Sequence, residues 1–164
     1  MRVGPLIALV LCVAVAAGCG GGDDNGGDGG SDASIPGGAE PEAVEVIEGW
    51  ADDLRAGEID AAADRWMIPA IAQNGTPAIE LESREDVIAF NESLPCGAEL
   101  IRAETQGEFT VATFELTERP GEGECGPGTG GTARTAFVIE DGKIVEWRRA
   151  ADELTEPPAE GPIV

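Results

Sequence analysis

The sequence contains no histidine and no tyrosine, and only 10 of its 164 residues are basic, against 32 acidic ones. Without histidine there is no imidazole base and no imidazole ligand for a metal, and without tyrosine no phenol to hold an oxyanion. Neither a metal nor a cofactor is expected. A formal charge of -22 opposes binding to nucleic acid backbones, which select a basic face, so no nucleic acid partner is expected either. Aromatic residues are scarce, three Trp and four Phe, and few large side chains are available to fill a core or line a cavity. Of the ten cations nine are Arg and one is Lys143, so recognition by cations would use planar forks. The length accommodates one compact domain with tails.

Residues 1–18, MRVGPLIALVLCVAVAAG, carry Arg2 and then an apolar run from Val3 to Ala17. That run is shorter than the roughly 20 residues of a membrane span and suits the hydrophobic region of an export signal. Ala16-Ala17-Gly18-Cys19 resembles the lipobox of bacterial lipoproteins, with Ala16 in place of the usual Leu. The resemblance implies lipidation of Cys19 as the first mature residue, attachment to the membrane through that lipid, and a place in the bacterial cell envelope on the outer side of the cytoplasmic membrane. Residues 19–38 follow as a tether rich in Gly and Asp. It has too few apolar side chains to offset ordering entropy and spans roughly 25 Å as a flexible coil. Asp23, Asp24, Asn25 and Asp28 lack the alternate spacing and the twelfth-position glutamate of an EF-hand, which argues against a calcium loop. Loss of the leader removes Arg2 and Cys12 and leaves 9 basic against 32 acidic residues.

With Cys19 lipidated, Cys96 and Cys125 remain. Two thiols in an oxidising compartment imply one disulfide. They form no C-x-x-C motif and have no histidine beside them, so a metal or redox role is not expected.

Residues 39–155 form the expected domain, followed by a Pro-rich tail at 156–164. Helices come first and strands afterwards, the order of an α+β domain. Ala43, Ile47, Trp50 and Leu54 make a helical stripe that starts at Pro41 and ends at Gly57. A second short helix is expected from about Glu58 to Trp66, stopped by Pro69, and a strand pair or loop around Asn74-Gly75. Ser83 and Asp86 make a capping box for a third helix with Val87, Phe90 and Leu94 on one side. From Ala98 the period becomes two, giving strands near 98–105, 108–118, 132–140 and 143–149. Pairing Glu140 with Lys143 across the Asp141-Gly142 turn sets Phe137 opposite Glu146 and Thr135 opposite Arg148. Both faces of that hairpin carry aromatics and arginines, so which one lines the interior stays open.

This order, with PEAVEVIEGWADDLRAGEIDAAADRWM, then SREDVIAF, then a sheet ending DGKIVEWRR, resembles the nuclear transport factor 2-like superfamily, in particular its SnoaL-like branch. The resemblance implies a cone-shaped fold with helices packed on a curved antiparallel sheet, a pocket inside it, and dimers paired through the sheet. Enzymes of that superfamily use Asp, His, Tyr or an Asp-Arg-Asp set. Trp147-Arg148-Arg149-Ala150-Ala151-Asp152 is similar to the W-R-D-Y-F-D run of limonene epoxide hydrolase, but Arg149 stands where that family has a catalytic aspartate.

Asp64, Glu115 and Glu146 are the carboxylates weighed as a general base, against the plain expectation that in so acidic a chain any strand carries acids. Trp50, Trp66, Phe90, Phe114, Phe137 and Trp147 are either core or the lining of a cavity. Arg134, Arg148 and Arg149 are expected to cluster at the end of the sheet, with Arg148 at the ligand; either they clamp a carboxylate or neighbouring Glu neutralises them. Gly121-Glu122-Gly123-Glu124-Cys125-Gly126 matches G-x-G-x-x-G, yet it lacks the following helix and carries two acids, so it binds no dinucleotide. The sequons at Asn74 and Asn91 are given no meaning in a bacterial envelope protein. The expected function is a non-catalytic, lipid-anchored SnoaL-like domain that binds a small apolar or amphipathic ligand or a partner protein. A carboxylate-dependent isomerase or hydrolase, or a structural envelope protein, is the alternative.

Overall fold

A computed structural model describes residues 35–150 except Thr76 and Glu122. The leader 1–18, Cys19, most of the 19–38 segment and the tail 156–164 lie outside the described residues. Helix α1 spans Pro41–Ala56, with Pro at its first turn, and Gly57 closes it in the left-handed region at φ 79°, a conformation that costs glycine nothing. Ala43, Ile47, Trp50 and Leu54 are all buried, as their spacing predicted. Helix α2 is Ile59–Asp64, shorter than expected. Trp66 begins strand β1, Trp66–Gln73, so Pro69 lies within a strand and does not stop the helix. Strand β2, Ile79–Leu81, pairs back antiparallel with Ala70 opposite Leu81. Helix α3, Arg84–Ser93, has the expected capping box: Ser83 Oγ accepts from the Asp86 N–H, and the Asp86 carboxylate accepts from the Ser83 N–H.

The remaining strands are β3, Gly97–Gln106, β4, Phe109–Thr117, β5, Thr132–Glu140, and β6, Lys143–Arg149. They form one sheet in the order β2-β1-β6-β5-β4-β3. All pairs are antiparallel except β1 with β6. The strand pair allowed for around Asn74-Gly75 thus forms between the second and third helices, and it belongs to the main sheet, which was expected to begin only after the third helix. The reason is tertiary: β1 is stabilised by pairing with β6, more than 70 residues later in the chain.

Three irregularities bend the sheet. One falls in β3, where Leu100 pairs with Phe114 and Arg102 with Thr113, leaving Ile101 over; another lies in β1 between Trp66 and Ile71. In β6, Ile139 pairs with Ile144 but Val138 pairs with Glu146, leaving Val145 over. An extra residue on one strand kinks it and increases its twist. The β6 bulge also corrects the predicted register: Phe137 faces Trp147, not Glu146, and Thr135 faces Arg149, not Arg148. It settles the interior face too, because Val145 and Glu146 both turn outward while Ile144 and Trp147 are buried.

Helices α1, α2 and α3 cover the inner face, and the core they share with it includes Ile47, Trp50, Leu54, Val87, Phe114, Phe137 and Ile144. The outer edge of β3 is covered by the chain entering α1, where Pro36 O accepts from the Ala103 N–H and the Ala39 N–H donates to Ala103 O. Ile35, in the segment expected as tether, packs on the core. Cys96 and Cys125 are disulfide-bonded with Cα atoms 4.5 Å apart, which ties the 118–131 connection to the start of β3.

Candidate functional site

Six aromatics meet in two groups with edge-to-face geometry. Phe137 sits 5.5 Å from Trp50 and 6.2 Å from Phe114, and Phe90 sits 5.5 Å from Trp66 and 5.1 Å from Trp147, ring centre to ring centre. Such pairs interlock the helices with the sheet. Between the end of α1, the start of β3 and the inner face of β4, β5 and β6 lies a cavity of about 120 Å³. Its deep walls are Trp50, Leu54, Phe114 and Trp147, all at most 5% exposed. Asn74 and Arg149, both exposed, stand at its lip, with Pro95 and Cys96 on the side of the disulfide. The cavity thus runs from the core to solvent.

Of the residues proposed from sequence as lining, Trp50, Phe114 and Trp147 are brought together here. Trp66, Phe90 and Phe137 are core instead, Phe137 at 0% exposed between Trp50 and Phe114. Arg148 is on the opposite side of the sheet. It pairs with Glu146 and lies 5.6 Å over the Phe109 ring. Its neighbour Arg149 lines the cavity in its place. Strand alternation puts Trp147 and Arg149 on one face, so placing Trp147 inside is the signal that would have selected Arg149. Asn74, read as a turn residue only, had no such signal, because its position depends on where the β1 to β2 loop lands. Arg134 pairs with Glu104 at 3.5 Å and Arg148 with Glu146, so of the three arginines at the end of the sheet Arg149 alone lines the cavity.

None of the weighed carboxylates lines the cavity. Asp64 is exposed and bonded to Arg84 at 3.0 Å, and Arg84 is shifted further above its ordinary range by hydrogen bonds to Asp60 and then Asp64. Glu115 is exposed on β4. Glu146 faces outward into a hollow with Met67, Ile71, Val138 and Val145. Among the described residues no group of His, Cys, Asp and Glu could hold a metal ion. The cavity can therefore enclose an apolar group and present it with a cation and an amide at the lip, and among the described residues no carboxylate lines it.

Two side chains that the sequence did not single out shape the neighbourhood of the disulfide. The Glu118 carboxylate accepts from the Thr129 hydroxyl at 2.6 Å and from the Cys125 and Gly126 N–H groups. These bonds, Thr129 first, hold it below its ordinary pKa. Arg119 donates to the Asn91 and Glu92 carbonyls at the end of α3, which suits the negative pole of that helix. Burial lowers its pKa.

No protein-family model and no curated protein matches the chain. Solved structures do. A candidate polyketide cyclase from Sinorhizobium meliloti matches with a TM-score of 0.51 and 14% identity, over 65% of this chain and 94% of that one. A candidate ketosteroid isomerase from Kribbella flavida matches with a TM-score of 0.51 and 16% identity, over 71% and 82%. An NTF2-like protein of unknown function from Cytophaga hutchinsonii matches with a TM-score of 0.52 and 12% identity, over 70% and 94%. At such identities the likeness is one of fold. Folds of this kind host many unrelated activities, and this chain has the nuclear transport factor 2-like fold.

Proposed function

We propose that the chain is a non-catalytic, lipid-anchored domain that holds a small apolar or amphipathic molecule in its cavity, on the outer side of the cytoplasmic membrane. The observation that carries the reading is a cavity walled by Trp50, Leu54, Phe114 and Trp147 with Arg149 as its charged residue and, among the described residues, no carboxylate in its lining. General acid-base catalysis needs a titratable group within hydrogen-bond reach of the reacting atom, and Asp64, Glu115 and Glu146 lie away from it. An isomerase or hydrolase reading finds no base among the described lining residues. The polyketide cyclase and ketosteroid isomerase descriptions of the fold neighbours are consistent with a ligand in this cavity.

The anchor rests on Ala17-Gly18-Cys19 behind the apolar run. The first described residues then enter the fold at the β3 edge. Pairing of two copies belongs to the same proposal and would use the outward sheet face, where Ile71 lies with Val138 and Val145.

Titration of tryptophan fluorescence with small aromatic and aliphatic compounds tests the cavity, because Trp50 and Trp147 report on it. Ala133→Phe, which fills the cavity from β5, should abolish saturable quenching while far-UV circular dichroism stays the same; undiminished quenching would remove the cavity from the account. For the anchor, Cys19→Ala should release the protein from membranes, and unchanged membrane partitioning would exclude it.

A further inference from the structure

We infer that the cavity selects a small monocarboxylic acid, with its apolar body against Trp50, Leu54 and Phe114 and its carboxylate on Arg149. The inference deepens the ligand-binding reading above and rests on it.

Charge accounting leads to Arg149. In a chain of 32 acids and 10 bases, a cation without an acidic partner is out of place. Arg55, Arg65, Arg84, Arg102, Arg134 and Arg148 each pair with a carboxylate, and Arg119 is taken up by backbone carbonyls. Among the described residues Arg149 has neither, and it stands on the lip of an apolar cavity that no Asp or Glu lines. A planar guanidinium matches a carboxylate with two parallel hydrogen bonds.

The other polar groups of the lining fit the same ligand. Trp147 shares the inner face of β6 with Arg149 and contributes its ring to the wall. Asn74 and Thr135 add an amide and a hydroxyl to the lining. Both can donate to an anion, and the one full positive charge of the lining, on Arg149, suits an anion and disfavours an amine.

Size and field narrow the class. An engineered cavity of about 150 Å³ holds benzene, so the 120 Å³ here takes a single ring or a chain of about six heavy atoms. Long-chain fatty acids exceed it. One cation within a strongly negative molecule balances a single carboxylate but not a dianion, because the surrounding field repels the second charge.

The test compares isosteres by calorimetry on the intact, disulfide-bonded chain at neutral pH: benzoate against benzamide and hexanoate against hexanamide. The acids should bind about tenfold tighter than their amides, the size of effect expected when one bond becomes charge-assisted. In Arg149→Gln, an exposed substitution that leaves the fold intact, the acids should fall to the affinity of the amides. Equal affinity of acid and amide for the unaltered protein overturns the carboxylate assignment and leaves the cavity reading standing. Preference for acids that survives Arg149→Gln overturns the role of Arg149. Failure of all four compounds to bind the folded protein overturns both the inference and the reading beneath it.

Discussion

Trp50 donates its indole N–H to Asn91 Oδ1 at 3.2 Å, and Asn91 is 0% exposed. A buried indole donor keeps its place in an apolar core by having such an acceptor. Replacing Asn91 by Leu leaves the Trp50 N–H unpaired but also removes the Asn91 Nδ2, itself buried without a partner among the described residues, so stability should fall by only about 1 kcal/mol, the low end of the cost of one orphaned group, read as a lower urea midpoint at unchanged m-value. Nothing in the sequence marked Asn91 as internal. It sits in an Asn-Glu-Ser sequon and next to the Phe90 of the helical stripe, and its direction follows from where Trp50 of another helix arrives. Trp50 and Phe90 themselves were legible from spacing, because a residue on the apolar side of an amphipathic helix has only one place to go. Arg148 and Arg149 show the opposite case, since two adjacent arginines on a strand point to opposite faces and one inserted residue decides which is inside.

At the level of elements, that inserted residue is Val145. The period-two pattern of KIVEWRR predicts alternation, whereas burial recurs three residues apart, at Ile144 and Trp147. β3 does the same at Leu100 and Ala103. A bulge has no composition signal of its own, because either strand of a pair can take the extra residue, and the sheet chooses the one that lets the helices pack. The 118–131 connection is organised by a side chain instead of a ladder. Glu118 gathers Thr129, Cys125 and Gly126, and because its folded pKa is depressed, this order is fully present above the ordinary value of 4.5. It should fade as the pH falls through the lowered folded value. The protection of the Cys125 and Gly126 amides, their exchange rate relative to the intrinsic rate at the same pH, should therefore fall in that acidic window. Glu118→Gln should speed exchange at neutral pH and flatten the pH response; the same exchange rates in both proteins would remove Glu118 from this role.

For the whole molecule, the Cys96–Cys125 bond spans a sequence separation of 29 residues and closes the connection beside the cavity. Loop-closure entropy assigns such a cross-link about 3 to 4 kcal/mol. A Cys96→Ser, Cys125→Ser double variant should lose about that much in urea unfolding. It should also weaken ligand binding, because Cys96 forms part of the cavity wall. A destabilised protein with undiminished affinity would show that the bond serves stability alone.

Composition and order alone determined a great deal about this protein: an acidic α+β chain without imidazole chemistry, its three helices, the four long strands, the disulfide pair and the aromatic residues of the core. These follow from local periodicity, capping and turn chemistry, which act over a few residues. Tertiary structure decided the parallel pairing of β1 with β6, the inward face of β5 and β6, the burial of Asn91 and the choice of Arg149 over Arg148 at the cavity. Each depends on contacts between segments far apart in the chain, where bulges and the packing of helices on a bent sheet, more than residue preference, set the direction of a side chain.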